Sequence, residues 1–181
     1  YIVLLSNVLA GLGGPTKYAR TRLKGARFFP FFEDLVLSVK GETGYIVGLF
    51  DKNVRVLDRF FMGGETVRGF NTSGIGPRDR NTRDALGGEW KYNGSVEASF
   101  PLGLPNEIGI KGRVFTDFGS VSQTELSDPA IFDSNSVRLS VGAGLTWMSP
   151  FGPIGADFGI PVLKEKLDRT QIFRLNFGTT F

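Results

Sequence analysis

Residues alternate between two chemical types along much of the C-terminal half of the chain. Between residues 171 and 181, one parity carries Phe173, Leu175, Phe177 and Phe181, whereas the residues between them are mostly polar or small. Successive side chains of a β-strand point to opposite faces of a sheet, so a period of two predicts a strand with one apolar and one polar face.

The same period recurs upstream. Between residues 137 and 147, aliphatic residues and Trp147 alternate with Arg138, Ser140 and two glycines. Residues 154–162, 95–100 and 110–118 repeat the pattern, and less regular candidates lie at 1–10, about 16–29 and 34–50. We therefore predict an all-β chain of about eight antiparallel strands joined as a meander, without a helix.

The distribution of polar residues favours a membrane barrel over a soluble one. The polar faces are small and rich in glycine, and Trp90, Tyr92 and Trp147 fall near strand ends, where interface aromatic residues belong. A soluble barrel or sandwich would place its apolar face inside and leaves the glycines on the polar face unexplained. We predict an antiparallel transmembrane β-barrel, with the aromatic terminus Phe181 typical of the bacterial outer membrane.

Composition excludes several classes of function. The chain of 181 residues has no cysteine and no histidine, which removes disulfides, thiolate or imidazole metal sites and Ser-His-Asp catalysis. The net charge of +3 is small and dispersed, so no nucleic-acid partner is expected. We expect no cofactor, no metal and no enzymatic activity. Because the chain starts at Tyr1, we also expect it to be a fragment of a longer protein.

A long irregular segment at about 51–86 contains the motif Val67-Arg68-Gly69-Phe70. Glu97 and Asp117 lie on the polar parity of neighbouring predicted strands. A guanidinium folded into the barrel would bridge these two carboxylates, Gly69 would permit a close backbone approach, and Val67 and Phe70 would anchor the loop by packing. The alternative is a solvated Arg68 with two ordinary lumen charges, and the residues alone do not choose between them.

Three stretches together resemble the C-terminal half of the barrel in the BamA family of outer-membrane assembly proteins. They are the motif at 67–70, Phe115-Thr116-Asp117-Phe118-Gly119, and the block from Trp147 to Pro153, and the final strand is similar as well. The resemblance implies that Arg68 pairs with Asp117 and Glu97 inside the barrel. It also implies that the last strand forms a lateral gate, with a kink at Gly178 and its end at Phe181.

The resemblance implies a function in inserting β-barrel proteins into the outer membrane by strand templating at that gate. The implied partners are unfolded outer-membrane protein clients, outer-membrane lipids and accessory lipoproteins of the assembly complex. A two-partner secretion or TamA-type translocation pore of the same superfamily, and a passive small barrel or porin, are the alternatives. Family barrels have sixteen strands and preceding POTRA domains, so we expect either half of such a barrel or a closed eight-stranded one.

Overall fold

The computed structural model describes residues 1–11, 17–32, 34–50, 52–105, 108–124, 128–150 and 152–178. One short 3-10 helix covers Val56–Asp58. The strands are β1 (Ile2–Ala10), β2 (Tyr18–Pro30), β3 (Val36–Gly48), β4 (Gly69–Phe70), β5 (Arg78–Asp79), β6 (Trp90–Pro101), β7 (Ile110–Ser122), β8 (Ile131–Phe132), β9 (Arg138–Ser149), β10 (Gly152–Leu163), β11 (Thr170–Gln171) and β12 (Phe173–Phe177).

The eight longer strands form one antiparallel sheet in the order β1-β2-β3-β6-β7-β9-β10-β12. Each neighbour in the sheet is also the next long strand in sequence, which confirms the predicted meander. Within the described residues, β1 pairs only with β2 and β12 only with β10. The sheet is therefore open, and of the two expected forms the structure shows half of a barrel and not a closed eight-stranded one.

The two faces of the sheet differ as the alternation predicts. On the face that the long loop covers, Asp117, Ser140 and Asp157 are at most 2% exposed. On the opposite face, Phe158 and Ile160 of β10 are more than half exposed. We call these the inner and the outer face. Since apolar side chains point outward and polar ones inward, the sheet has the arrangement of a membrane barrel.

The long loop connects Gly48 of β3 to Trp90 of β6, so it extends a little beyond the predicted 51–86; residue 51 lies outside the described residues. It packs into the barrel interior through a cluster of buried apolar side chains: Ile46, Val54, Phe60, Met62, Val67, Phe70, Ile75 and Val121. Ile46 and Val121 belong to the sheet, so the loop has its own small core against the inner wall. No helix in the described part is long and apolar enough to cross a membrane.

Candidate functional site

The guanidinium of Arg68 lies against the inner wall between two strands. Its Nε donates to Asp117 Oδ2 at 2.7 Å and its Nη2 to Asp117 Oδ1 at 2.9 Å, which is a bidentate pair. Its Nη1 donates to Glu97 Oε2 at 2.5 Å, and Nη2 also reaches Ser95 Oγ at 3.2 Å. The structure thus brings together the three charged residues that the sequence singled out.

Asp117 is the centre of this arrangement. Besides the guanidinium, it accepts the backbone N–H of Arg68 at 3.0 Å and the hydroxyl of Ser95 at 2.7 Å. Ser95 of β6 is the register partner of Asp117 of β7. Glu97, the next inward residue of β6, is the register partner of Phe115. The Phe115 ring completes the site, because the guanidinium carbon of Arg68 lies 3.4 Å from its centroid. Sequence reasoning missed Ser95 and Phe115, although both share the inward parity.

The charged site extends to β10 and β12. Asp157 Oδ2 accepts Arg113 Nη2 at 2.9 Å and Asn176 Nδ2 at 2.8 Å, and Asp157 Oδ1 lies 4.0 Å from Arg68 Nη1. Asp157 was not among the expected site residues, but its place on the polar parity of β10 is the signal that would have found it. The connected network holds three carboxylates and two guanidinium groups, and it spans β6, β7, β10 and β12.

Gly69 has the close backbone approach that its position in the motif predicts. Its φ is +89°, a region that favours glycine, and a Cβ there would meet the carbonyl oxygen of Gly159 at 3.0 Å. A Cβ on Gly159 of β10 would meet the amide nitrogen of Gly69 at 2.6 Å. Two glycines therefore let the loop backbone lie directly on the wall.

The flanking residues of the motif fix the loop by packing. Val67 and Phe70 are both fully buried in the apolar cluster of the loop. Their burial places Arg68 between two apolar anchors, so its side chain points at the charged wall. The motif is therefore held by apolar burial and by charge-assisted hydrogen bonds at once.

The motif is also bonded to the segment that precedes the last strand. β11 pairs with β4, with Thr170 opposite Phe70 and Gln171 opposite Gly69. Around this bridge, Asn71 N donates to Arg169 O at 2.9 Å and Arg169 N donates to Gly74 O at 2.9 Å. The chain thus passes from the motif-bound β11 into β12 within two residues, which links the loop to the edge of the sheet.

A second buried ion pair holds the same region. Arg138 at the start of β9 donates through Nε to Asp168 Oδ2 at 3.0 Å, and both side chains are at most 1% exposed. Arg138 also donates to the carbonyl oxygens of Ser134 and Ser136. Because Asp168 Oδ2 accepts the N–H of Glu165 at 2.7 Å, this pair shapes the loop between β10 and β11.

The expected gate residues are placed in part. Gly178 follows the end of β12 with a φ of +93°, and its N–H donates to Pro153 O at 2.9 Å. The backbone of Gly178 thus departs from the extended conformation, and its role as the kink of a gate stays a prediction. Phe181 lies outside the described residues.

Arg68 keeps its charge in this environment. Burial opposes the charged form, but the hydrogen bonds and negative charges of Asp117 and Glu97 outweigh it and raise the pKa of the guanidinium above its ordinary value. Two carboxylates thus face a charged guanidinium that is itself largely buried, and we call this arrangement of Arg68, Asp117 and Glu97 the clamp.

The comparisons with known proteins agree on one superfamily. The Omp85 superfamily domain matches residues 1–181. The outer membrane protein assembly factor BamA of Neorickettsia risticii is 36% identical over 182 residues, which cover 100% of this chain and 24% of that protein. The sorting assembly machinery 50 kDa subunit of Saccharomyces cerevisiae is 27% identical over 179 residues, covering 92% of this chain and 37% of that protein.

A solved structure with the same fold is BamA from Haemophilus ducreyi lacking POTRA domains 1-3. It superposes with a TM-score of 0.84 at 25% identity, over 96% of this chain and 37% of that one. The chain therefore spans about a quarter to two fifths of the length of these relatives.

Proposed function

Because the chain belongs to the Omp85 superfamily, we propose that it works as part of an outer-membrane protein assembly factor. Its place is the bacterial outer membrane, as for the BamA proteins that it resembles. The proposed activity is to insert and fold β-barrel proteins by offering an unpaired strand edge to an incoming strand. The proposed partners are unfolded outer-membrane clients, membrane lipids and accessory lipoproteins.

The observation that carries this proposal is the edge strand β12 beside the Arg68 site. Among the described residues, β12 pairs with β10 from Phe173 to Phe177, and its other edge has no partner strand. An unpaired edge presents free backbone donors and acceptors, and such an edge binds another strand by β-augmentation. No catalytic group or cofactor takes part, since backbone hydrogen bonds supply the interaction.

In this proposal, Arg68 positions the gate. The guanidinium holds the long loop on the inner wall, and the loop in turn holds β11 through β4. Loss of the clamp frees the segment before β12 and so disturbs the edge on which a client strand would pair. Arg68 acts here through the loop and touches no client.

The test is client folding by the full-length protein with Arg68→Ala. We expect this variant to fold, to expose the loop to protease and to fold an unfolded barrel client into liposomes more slowly than the wild type. Arg55→Ala is the matched control, because Arg55 lies in the same loop in an exposed pair with Asp58, and surface pairs contribute little. Wild-type rates of both loop proteolysis and client folding in Arg68→Ala would refute the proposed role.

A further inference from the structure

A row of glycines crosses the outer face of the sheet near its N-terminal edge. Val3 of β1, Gly25 of β2, Gly41 of β3 and Gly94 of β6 are successive register partners. They share the outward parity of Val39 and Tyr45, which are exposed, and alternate with inward Glu42 and buried Ile46. Where neighbouring strands of a lipid-facing wall lack side chains, the wall has a depression.

The depression is open over two of the three glycines. A Cβ on Gly25 would meet nothing within 4 Å, and one on Gly41 would meet only the carbonyl oxygen of Asn93 at 3.8 Å. At Gly94 the ring of Phe118 fills the space, with a ring carbon 2.7 Å from the Cβ position. The result is a shallow groove of about 400 Å³. Its lining residues are Val3, Leu23, Lys24, Gly25, Gly41, Glu42, Thr43 and Asn93, and Phe118 fills the space beyond it at Gly94.

An exposed arginine stands at one end of this groove. Arg27 lies two residues beyond Gly25 along β2, on the same outward parity. Its guanidinium carbon lies 4.5 Å from the ring centroid of Tyr1 and 4.4 Å from that of Phe29. None of the ion pairs among the described residues involves Arg27. An arginine without an acidic partner on a lipid-facing wall suits an anionic group at the membrane interface, such as a lipid phosphate.

The strand ends give the depth of Arg27 in the membrane. β2 ends at Pro30 and β3 begins at Val36, so Arg27 is close to a short connection, whereas the long loop leaves the other end of β3. Short turns of outer-membrane barrels face the periplasm and long loops face outward. Arg27 therefore lies at headgroup depth in the periplasmic leaflet, and the glycine groove lies next to it on the side of the membrane centre.

We propose that this outer face binds one glycerophospholipid of the periplasmic leaflet. The phosphodiester accepts hydrogen bonds from the planar guanidinium of Arg27. Cation–π contacts with the rings of Tyr1 and Phe29 hold that guanidinium in place. One acyl chain lies in the groove over Gly25 and Gly41, where no side chain of the protein competes for the space. The headgroup site at Arg27 and the acyl-chain site over Gly25 and Gly41 adjoin along β2, as the two parts of one phospholipid require. A free phosphate or a bare alkyl chain would need only one of the two sites.

The test measures how many molecules of phosphatidylglycerol the full-length protein retains when it is released from detergent micelles in native mass spectrometry. We expect the wild type to retain one lipid under conditions that strip the others. Arg27→Gln removes the cation, and Gly25→Leu and Gly41→Leu fill the groove. Loss of the charge-assisted contact in Arg27→Gln should reduce retention about tenfold or more, and the two leucine variants should reduce retention by displacing the acyl chain.

Two controls keep the result interpretable. Ala143→Leu adds comparable apolar bulk to an exposed outward position of β9 and should leave retention unchanged. Heat-modifiable migration on unboiled gels checks that each variant folds, and Gly25→Leu is the safest variant because its added Cβ meets no atom. Equal retention in the wild type, Arg27→Gln and Gly25→Leu, with all three folded, would overturn the proposal.

Discussion

At the residue scale, the carboxylates that face Arg68 have unequal roles. Asp117 is 1% exposed and accepts from the Nε, the Nη2 and the backbone N–H of Arg68, whereas Glu97 is 16% exposed and accepts one bond from Nη1. A buried charge that loses its partner is strongly destabilising, while a partly hydrated one is less so. The two residues therefore contribute differently to holding the loop.

The first prediction compares Asp117→Asn with Glu97→Gln. Both changes remove one charge and keep the shape of the side chain. We expect Asp117→Asn to destabilise the folded barrel by about 3–5 kcal/mol, and Glu97→Gln to cost about 1–2 kcal/mol because it removes the charge from one hydrogen bond to Arg68. Urea titration of the refolded full-length protein, with the folded fraction read from heat-modifiable migration, measures both losses of stability. A larger effect at Glu97 would contradict the assignment of Asp117 as the centre.

The second prediction separates two effects at Gly69. Gly69→Ala introduces a Cβ at a φ of +89° that also meets the Gly159 carbonyl at 3.0 Å. Gly103 has a φ of +73° with nothing near a Cβ, so Gly103→Ala carries the backbone strain alone. We expect about 1 kcal/mol for Gly103→Ala and a further loss of similar size for Gly69→Ala. The urea midpoints of the two variants are measured, and equal midpoints would show that the contact with Gly159 does not affect the free energy of unfolding.

At the scale of elements, two short strands and one ion pair connect the loops to the sheet edge. β11 bonds to the motif strand β4, and Arg138 of β9 holds Asp168 in the loop before β11. The loop between β10 and β11 therefore has a fixed shape although it contains exposed lysines. Cleavage of such a loop requires local unfolding, so the ion pair sets its rate.

The third prediction concerns Asp168→Asn. The change leaves buried Arg138 without a charged partner, and we expect trypsin to cut after Lys164 or Lys166 at least about tenfold faster, the factor that corresponds to 1.4 kcal/mol. Cleavage is followed by the loss of intact chain over time. Asp34→Asn is the matched control, since Asp34 and Lys111 form an exposed pair and its loss should change little. Unchanged cleavage in Asp168→Asn would mean that the loop is held by its backbone bonds alone.

The alternation of side chains was clearest for β6, β7, β9 and β10, because these strands turn one face toward the covered interior and the other face outward. It was weaker for β1, which is exposed on both faces. It also placed Glu97 and Asp117 on the inward face, where Arg68 now joins them. The pairing of β4 with β11 could not be predicted from the sequence, because a strand of two residues shows no periodicity and the two strands are about a hundred residues apart in sequence. The pairing of Arg138 with Asp168 was hidden for a similar reason, since an irregular loop has no parity from which to infer its direction.

At the scale of the whole molecule, the sheet has two open edges. β1 has exposed apolar residues on both faces, among them Leu4 at 60% and Leu5 at 64%, and β12 exposes Phe177 at 75%. The relatives that the chain matches are roughly two and a half to four times as long, and a longer barrel places further strands next to both edges. In the 181-residue segment alone, those backbone groups have no partner strand among the described residues.

The last prediction is that the isolated 181-residue segment associates through its edges in detergent. Unpaired edges recruit strands from other copies, so we expect cross-linked dimers or larger species and no compact, heat-modifiable monomer, whereas the full-length protein should migrate as a monomer. The chain has no natural cysteine, so single cysteines report on each position. Val3→Cys in β1 and Phe177→Cys in β12, which lie at the same end of their strands, should cross-link between copies, and Val141→Cys on the interior strand β9 should not. A heat-modifiable monomer in which cysteines at 3 and 177 join within one chain would show instead that these eight strands close on themselves.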